Sequence, residues 1–123
     1  MTDAVPTTDT PVLDESRLFA QFGNDPAIIN ELRDLFLKQI PMQMDAIRSA
    51  YEASDCLVLA RAAHSLSDAA ATYGAMRLSA ASRKVELLAQ DGRLVKVDEE
   101  IKTLAAELAE AIAWIEHLDA PVV

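Results

Sequence analysis

The chain has 123 residues, of which 51% are hydrophobic and 25% charged, a mixture typical of a single globular domain. Its formal net charge of −9 disfavours nucleic acid and anionic membranes as general partners. A single cysteine excludes an internal disulfide, and no signal peptide or membrane-length apolar run is apparent. We therefore expect a cytoplasmic protein.

The amino-terminal part of the sequence predicts a tail, a short helix and a long helix. Residues 1–12, rich in Thr, Asp and Pro, are expected to form a flexible tail. A short helix is predicted over about 14–21, beginning at an aspartate cap. Asp25 and Pro26 are typical of a helix start, and the apolar spacing that follows predicts a helix reaching about Ala53.

The rest of the sequence predicts three more helices with short connections. They are expected over about Cys56–Tyr73, 75–90 and 95–118, with Gly74 and the Asp91–Gly92 turn between them. Four long amphipathic helices of this kind predict an all-α fold, an up-down antiparallel four-helix bundle with a short extra N-terminal helix. We assign residues 13–119 to the bundle and 120–123 to a C-terminal tail.

One histidine has an unusual place in this pattern. At about 100° of rotation per residue, His64 lies roughly 130–170° from the centre of its helix's apolar arc, so its imidazole faces away from the core. Its helical neighbours are mostly short and leave the ring accessible to another protein: Leu57, Ala60, Arg61, Ser67, Asp68 and Ala71. A lone exposed histidine is more often a plain surface residue, which is how we interpret His117. No metal site is predicted, because the histidines and the cysteine lie far apart.

The sequence around His64 resembles that of the histidine phosphotransfer (HPt) domains of bacterial two-component phosphorelays. Their pattern is Ala-His-x-Leu-Lys-Gly, then five residues, then Gly-Ala. The matching residues are Ala63, His64, Leu66, Gly74 and Ala75. The similarity covers roughly residues 13–118 and includes the break before Pro26 and the Glu86–Leu87 pair.

The resemblance implies that His64 accepts a phosphoryl group from an aspartyl phosphate and later passes it to another receiver. The implied partners are receiver (response regulator) domains and a hybrid sensor kinase. In such domains the receiver supplies the Mg²⁺, so this chain needs no cofactor and acts as a phosphocarrier, not an enzyme. A monomer is expected. Lys84 and the helical neighbours of His64 named above are the expected partner surface.

Two positions depart from the HPt pattern. Ser67 replaces the usual lysine and Asp68 the usual glycine. The Asp68 carboxylate, on the order of 6 Å from the histidine, would repel a bound phosphoryl group by ~1–5 kcal/mol. The cations that the sequence offers in compensation are Arg61, Arg83 and Lys84.

Three hypotheses therefore stay open. The chain is an active carrier with a destabilised phosphohistidine, or a degenerate HPt-like module that binds a receiver or kinase without carrying phosphate. The third hypothesis is a helical adaptor unrelated to phosphorelays. The retained and open His64 favours the first, whereas Ser67 and Asp68 favour the second.

Overall fold

All the regular structure in residues 11–118, the part that the computed structural model describes, is α-helical. The helices are α1 (Glu15–Phe22), α2 (Pro26–Glu52), α3 (Cys56–Thr72), α4 (Met76–Gln90) and α5 (Leu94–Glu116). Short connections reverse the chain between successive long helices, and α2 also contacts α5, which closes a four-helix bundle. The predicted fold class is confirmed, and each predicted boundary lies within two residues of the observed one.

The predicted tails fall largely outside the described residues, which begin at Pro11 and end at Leu118. Val12, assigned to the tail from sequence, packs against the core, and Leu13 is buried. Within residues 11–118, the helices are too short or too polar for any of them to cross a membrane.

Aspartates begin the first three helices. The side chains of Asp14, Asp25 and Asp55 accept hydrogen bonds from the backbone N–H groups of Arg17, Ala27 and Val58, at 3.1, 2.9 and 3.1 Å. Each cap satisfies a donor that the first helical turn leaves unpaired, a contribution of about 1 kcal/mol to stability. These caps explain why the helix starts were predictable from sequence.

The core lies between the four long helices and is built from their apolar stripes. Its largest fully buried side chains include Phe36, Ile40, Met44, Leu59, Leu66, Leu78, Leu104 and Ile115. Tyr73 closes one end of the core, with its ring edge-on to Phe36 at a centroid distance of 5.1 Å. Its hydroxyl donates to Gln39 Oε1 at 3.3 Å, and burial raises the pKa of Tyr73 above its ordinary value.

Gly74 joins the amino-terminal segment to the bundle. Its φ of +78° ends α3, and its carbonyl accepts a hydrogen bond from the backbone N–H of Asp14 at 2.7 Å. A Cβ at position 74 would lie 2.6 Å from the Asp14 carbonyl oxygen, a contact that requires the backbone to move. Glycine is needed here for both the backbone conformation and the close approach of two chain segments.

Gly74→Ala should destabilise the protein more than Gly92→Ala, the matched control. Gly92 has a similar φ of +72°, but a Cβ added there would meet nothing within 4 Å, so its replacement adds only the left-handed backbone strain. We expect losses of roughly 1 kcal/mol for Gly92→Ala and about 2–4 kcal/mol for Gly74→Ala. Urea unfolding followed by circular dichroism measures both, and equal losses would show that the Asp14 contact is unimportant.

Candidate functional site

The candidate site lies along the junction of α3 and α4, the most extensive contact between helices in the bundle. The side chain of His64, on α3, is 53% exposed. Its Nδ1 atom lies 3.0 Å from Oε2 of Glu86 on α4, and the Glu86 side chain is only 10% exposed. The imidazole is therefore open to solvent on one side and held by a buried carboxylate on the other.

Glu86 has His64 as its hydrogen-bonding partner within the described part of the chain. Its second oxygen, Oε1, is buried and makes no hydrogen bond to residues 11–118. A buried carboxylate with an unpaired oxygen gains most from a close donor, so Glu86 favours a ring that carries its proton on Nδ1. In that neutral tautomer the Nε2 atom keeps its lone pair, on the side of the ring near Asp68.

A second carboxylate lies at the other ring nitrogen. Asp68 Oδ2 is 3.2 Å from His64 Nε2, and the Asp68 side chain is 72% exposed. A neutral imidazole has one N–H and can donate to only one of the two carboxylates; only the doubly protonated ring can donate to both. Glu86 is enclosed and Asp68 is largely exposed, so Asp68 is the carboxylate that has room to turn away from the ring.

A shallow open hollow adjoins the exposed face of His64. Its lining residues come from α3 and α4: Leu57, Ala60, Arg61, His64, Ser65, Glu86 and Gln90. Leu57 is 62% exposed and supplies an apolar surface beside the ring. Such a hollow fits the approach of another protein's side chains better than it fits an enclosed small molecule.

Ser67, predicted to lie on the exposed surface, is buried at 7% exposure, so this expectation is wrong. Its hydroxyl donates to the Ser79 carbonyl at 3.1 Å, and the Ser79 hydroxyl donates to the Ser67 carbonyl at 2.9 Å. The two serines thus join α3 to α4 by reciprocal hydrogen bonds. The wheel of α3 alone placed Ser67 outside because it could not show that α4 covers this flank of the helix.

The other predicted surface residues lie on α3, except Lys84, which lies on α4. Leu57, Arg61 and Asp68 are exposed as predicted, and Ala71 is half-buried. Ala60 is buried at 8% exposure, although it still contributes to the hollow. The expectation that Lys84 lies on the surface around His64 is corrected. Lys84 lines hollows between α4 and α5, with Glu100, and does not line the hollow at His64. It lies on the face of α4 turned towards α5.

The contact from Glu86 to His64 was not predicted from sequence, where Glu86 entered only as part of the family resemblance. A signal was available in the polar residues at helical spacing on α4, Ser79, Ser82 and Glu86. All three lie against the rest of the protein, with Ser82 fully buried and Ser79 partly so. Ser79 and Glu86 meet polar groups of α3, whereas the buried Ser82 hydroxyl makes no hydrogen bond to residues 11–118. Two of the three polar residues thus marked the side of α4 that meets α3.

Comparison with known proteins places the fold and this histidine in context. The Hpt domain family model matches residues 31–114, a span that contains both His64 and Glu86. The chain therefore belongs to the Hpt domain family. No curated protein sequence matches it. Among solved structures, histidine-containing phosphotransfer protein B (HptB) from Pseudomonas aeruginosa PAO1 is similar in fold, with a TM-score of 0.81 and 22% identity, over 88% of this chain and 94% of that one.

No group of three or more histidine, cysteine or acidic side chains within residues 11–118 has the geometry to hold a metal ion. The groups at the site are the imidazole of His64, the carboxylates of Glu86 and Asp68, and the α3 and α4 side chains that line the hollow.

Glu86→Ala should lower the fraction of His64 that carries its proton on Nδ1. The buried acceptor at 3.0 Å is removed, so the tautomer that Glu86 favours loses its hydrogen bond. Long-range ¹H–¹⁵N correlation NMR measures the tautomers at alkaline pH, where an imidazole is ordinarily neutral. His117 is an internal control and should not change; an unaltered His64 tautomer would show that Glu86 does not orient the ring.

Proposed function

We propose that this protein carries a phosphoryl group on His64 between receiver domains of a two-component phosphorelay. The observation that supports it most directly is the geometry of His64 in a chain of the Hpt family. The ring is half exposed, its Nδ1 lies 3.0 Å from a buried carboxylate and its Nε2 faces outward. This is the arrangement that a nucleophile needs when its reaction partner is another protein.

The proposed reaction begins with attack by the Nε2 lone pair on the phosphorus of an aspartyl phosphate. The N–P bond forms as the acyl-phosphate P–O bond breaks, and the aspartate leaves as a carboxylate. The phosphorylated ring still carries its Nδ1 proton and is cationic, so Glu86 both orients it and stabilises its charge. The reverse reaction with a second receiver returns the phosphoryl group to an aspartate. The Mg²⁺ for this chemistry belongs to the receiver.

The proposed partner surface surrounds His64 and is formed by Leu57, Ala60, Arg61, Asp68 and Ala71. The exposed Leu57 side chain provides apolar contact, and the small residues allow close approach. The proposed partners are receiver domains and a hybrid sensor kinase. We place the activity in the cytoplasm, which suits a chain with a single cysteine, and assign it to a monomer.

A second candidate function is supported by Asp68. Its carboxylate lies 3.2 Å from the nitrogen to which the phosphoryl group would be attached. If that repulsion prevents loading, the chain is a degenerate HPt-like module that binds a receiver or kinase without carrying phosphate. Both functions require the same partner surface, so a binding measurement alone does not separate them.

His64→Ala should abolish phosphotransfer and leave the protein folded, because the removed side chain is half exposed and its loss removes one hydrogen bond, to Glu86. The protein is mixed with phosphorylated receiver domains from the same organism, and acid-labile phosphate on it is measured. His117→Ala, the matched control, should be labelled like the natural sequence. Binding without label on the natural sequence would establish the second function, and an unfolded His64→Ala variant would contradict the outward placement of the ring.

Asp68→Gly and Asp68→Asn should both speed the loading of His64. Removing the carboxylate 3.2 Å from Nε2 removes repulsion with the incoming phosphoryl group, and we expect a gain of about threefold to tenfold. Asparagine isolates the charge, since glycine also weakens the helix by roughly 1 kcal/mol. Loading is followed with the same labelled receiver. An unchanged or slower rate in both variants would mean that Asp68 has another role, such as orienting the imidazole.

A further inference from the structure

The family's usual lysine lies three residues after the histidine, and no cation occupies that position in this chain. Ser67 occupies it, and the Ser67 hydroxyl is buried and bonded to Ser79 across the helix junction. A phosphoryl group on Nε2 would lie beside the Asp68 carboxylate, with no cation contributed from that turn of α3. Another helix must therefore supply the positive charge that stabilises phosphorylated His64.

The stripe of α4 that faces α3 contains one cation at the right level. Ser79 contacts Ser67, and Glu86 contacts His64. Ser79 and Glu86 therefore define the stripe of α4 that faces α3 and show which residues of α3 lie opposite it. Arg83 lies four residues after Ser79 and three before Glu86, on the same face of the helix. It is exposed, and it makes no hydrogen bond or ion pair with residues 11–118.

The two other candidate cations are not on the stripe of α4 that faces α3. Lys84 lines hollows on the α5 side of α4. Arg61 lines the hollow beside His64, together with Leu57, one turn towards the start of α3. Nε2 instead approaches Asp68, one turn towards the end of α3. Helical spacing puts Arg83 between the residues that contact Ser67 and His64, and because α4 runs antiparallel to α3, this level is displaced from His64 towards Asp68.

We propose that Arg83 is the cation that neutralises the phosphoryl group on His64, in place of the missing lysine. This inference rests on the proposed function of His64. The guanidinium offers several N–H donors to the phosphoryl oxygens and offsets the charge of Asp68. Arg83 thus acts on the reacting group from α4, while Glu86, on the same helix, holds the opposite side of the ring.

The test uses phosphoramidate, a small phosphoryl donor that needs no partner protein. Nε2 forms the N–P bond as the donor's P–N bond breaks, and ammonia leaves. Phosphohistidine is measured by ³¹P NMR, with His64→Ala as the blank. Arg83→Gln should load about fivefold to tenfold more slowly than the natural sequence and lose its phosphate faster, with Arg83→Lys recovering part of the rate.

Lys84→Gln is the matched control, because it removes the same charge from the neighbouring residue on the other face of α4. Its rate should stay within about twofold of the natural sequence. The deficit of Arg83→Gln should shrink at high salt, whereas a merely structural defect would persist and would also lower the thermal midpoint.

Two results would overturn the inference while leaving the proposed function intact. One is labelled His64 with equal rates for Arg83→Gln and Lys84→Gln, and the other is a deficit in Arg61→Gln alone. No His64-dependent label on the natural sequence, from phosphoramidate or from receivers, would remove the proposed function and this inference together.

Discussion

The close packing of α3 against α4 is the constraint on which the site depends. Small side chains lie buried along this junction, and the reciprocal hydrogen bonds of Ser67 and Ser79 fix the two helices in register. That register brings Glu86 to the His64 ring at 3.0 Å. A slip of one residue would rotate Glu86 by about 100° around α4 and remove the contact. The chemistry of His64 therefore follows from how two helices are joined.

Two carboxylates act on one imidazole with opposite consequences because they differ in burial. Glu86, at 10% exposure, is enclosed and has an unpaired oxygen, so it holds the ring at Nδ1 and favours the tautomer with a proton there. Asp68, at 72% exposure, is hydrated and can rotate away from Nε2. The buried carboxylate of Glu86 orients the imidazole. The exposed carboxylate of Asp68 adds a negative charge that a partner or a neighbouring cation can offset. One carboxylate thus orients the ring, and in the proposed function the other opposes the phosphoryl group attached to it.

Distant parts of the fold serve this arrangement by holding the ends of the two helices. At the end of α3, the Gly74 carbonyl accepts a hydrogen bond from the backbone N–H of Asp14 at 2.7 Å, and the Tyr73 hydroxyl donates one to Gln39 on α2. At its start, Asp55 caps the first turn. With both ends of α3 held, the rotation of His64 about the helix axis is set by the bundle. Side chains on rigid helices keep their geometry better than side chains on loops, which suits the proposed transfer to and from a partner's reactive group.

The sequence by itself determined the helices, their caps and the outward direction of His64, because apolar spacing and aspartate caps are local properties of each segment. It also carried the motif by which the family could be recognised. Only the tertiary structure decided that Glu86 holds the ring, that Ser67 is buried and that Lys84 lies on the far side of α4. Each of these three features depends on which side of α3 is covered by α4 and on the register of the two helices. A helical wheel describes one helix at a time, so it contains neither the neighbour's position nor its register.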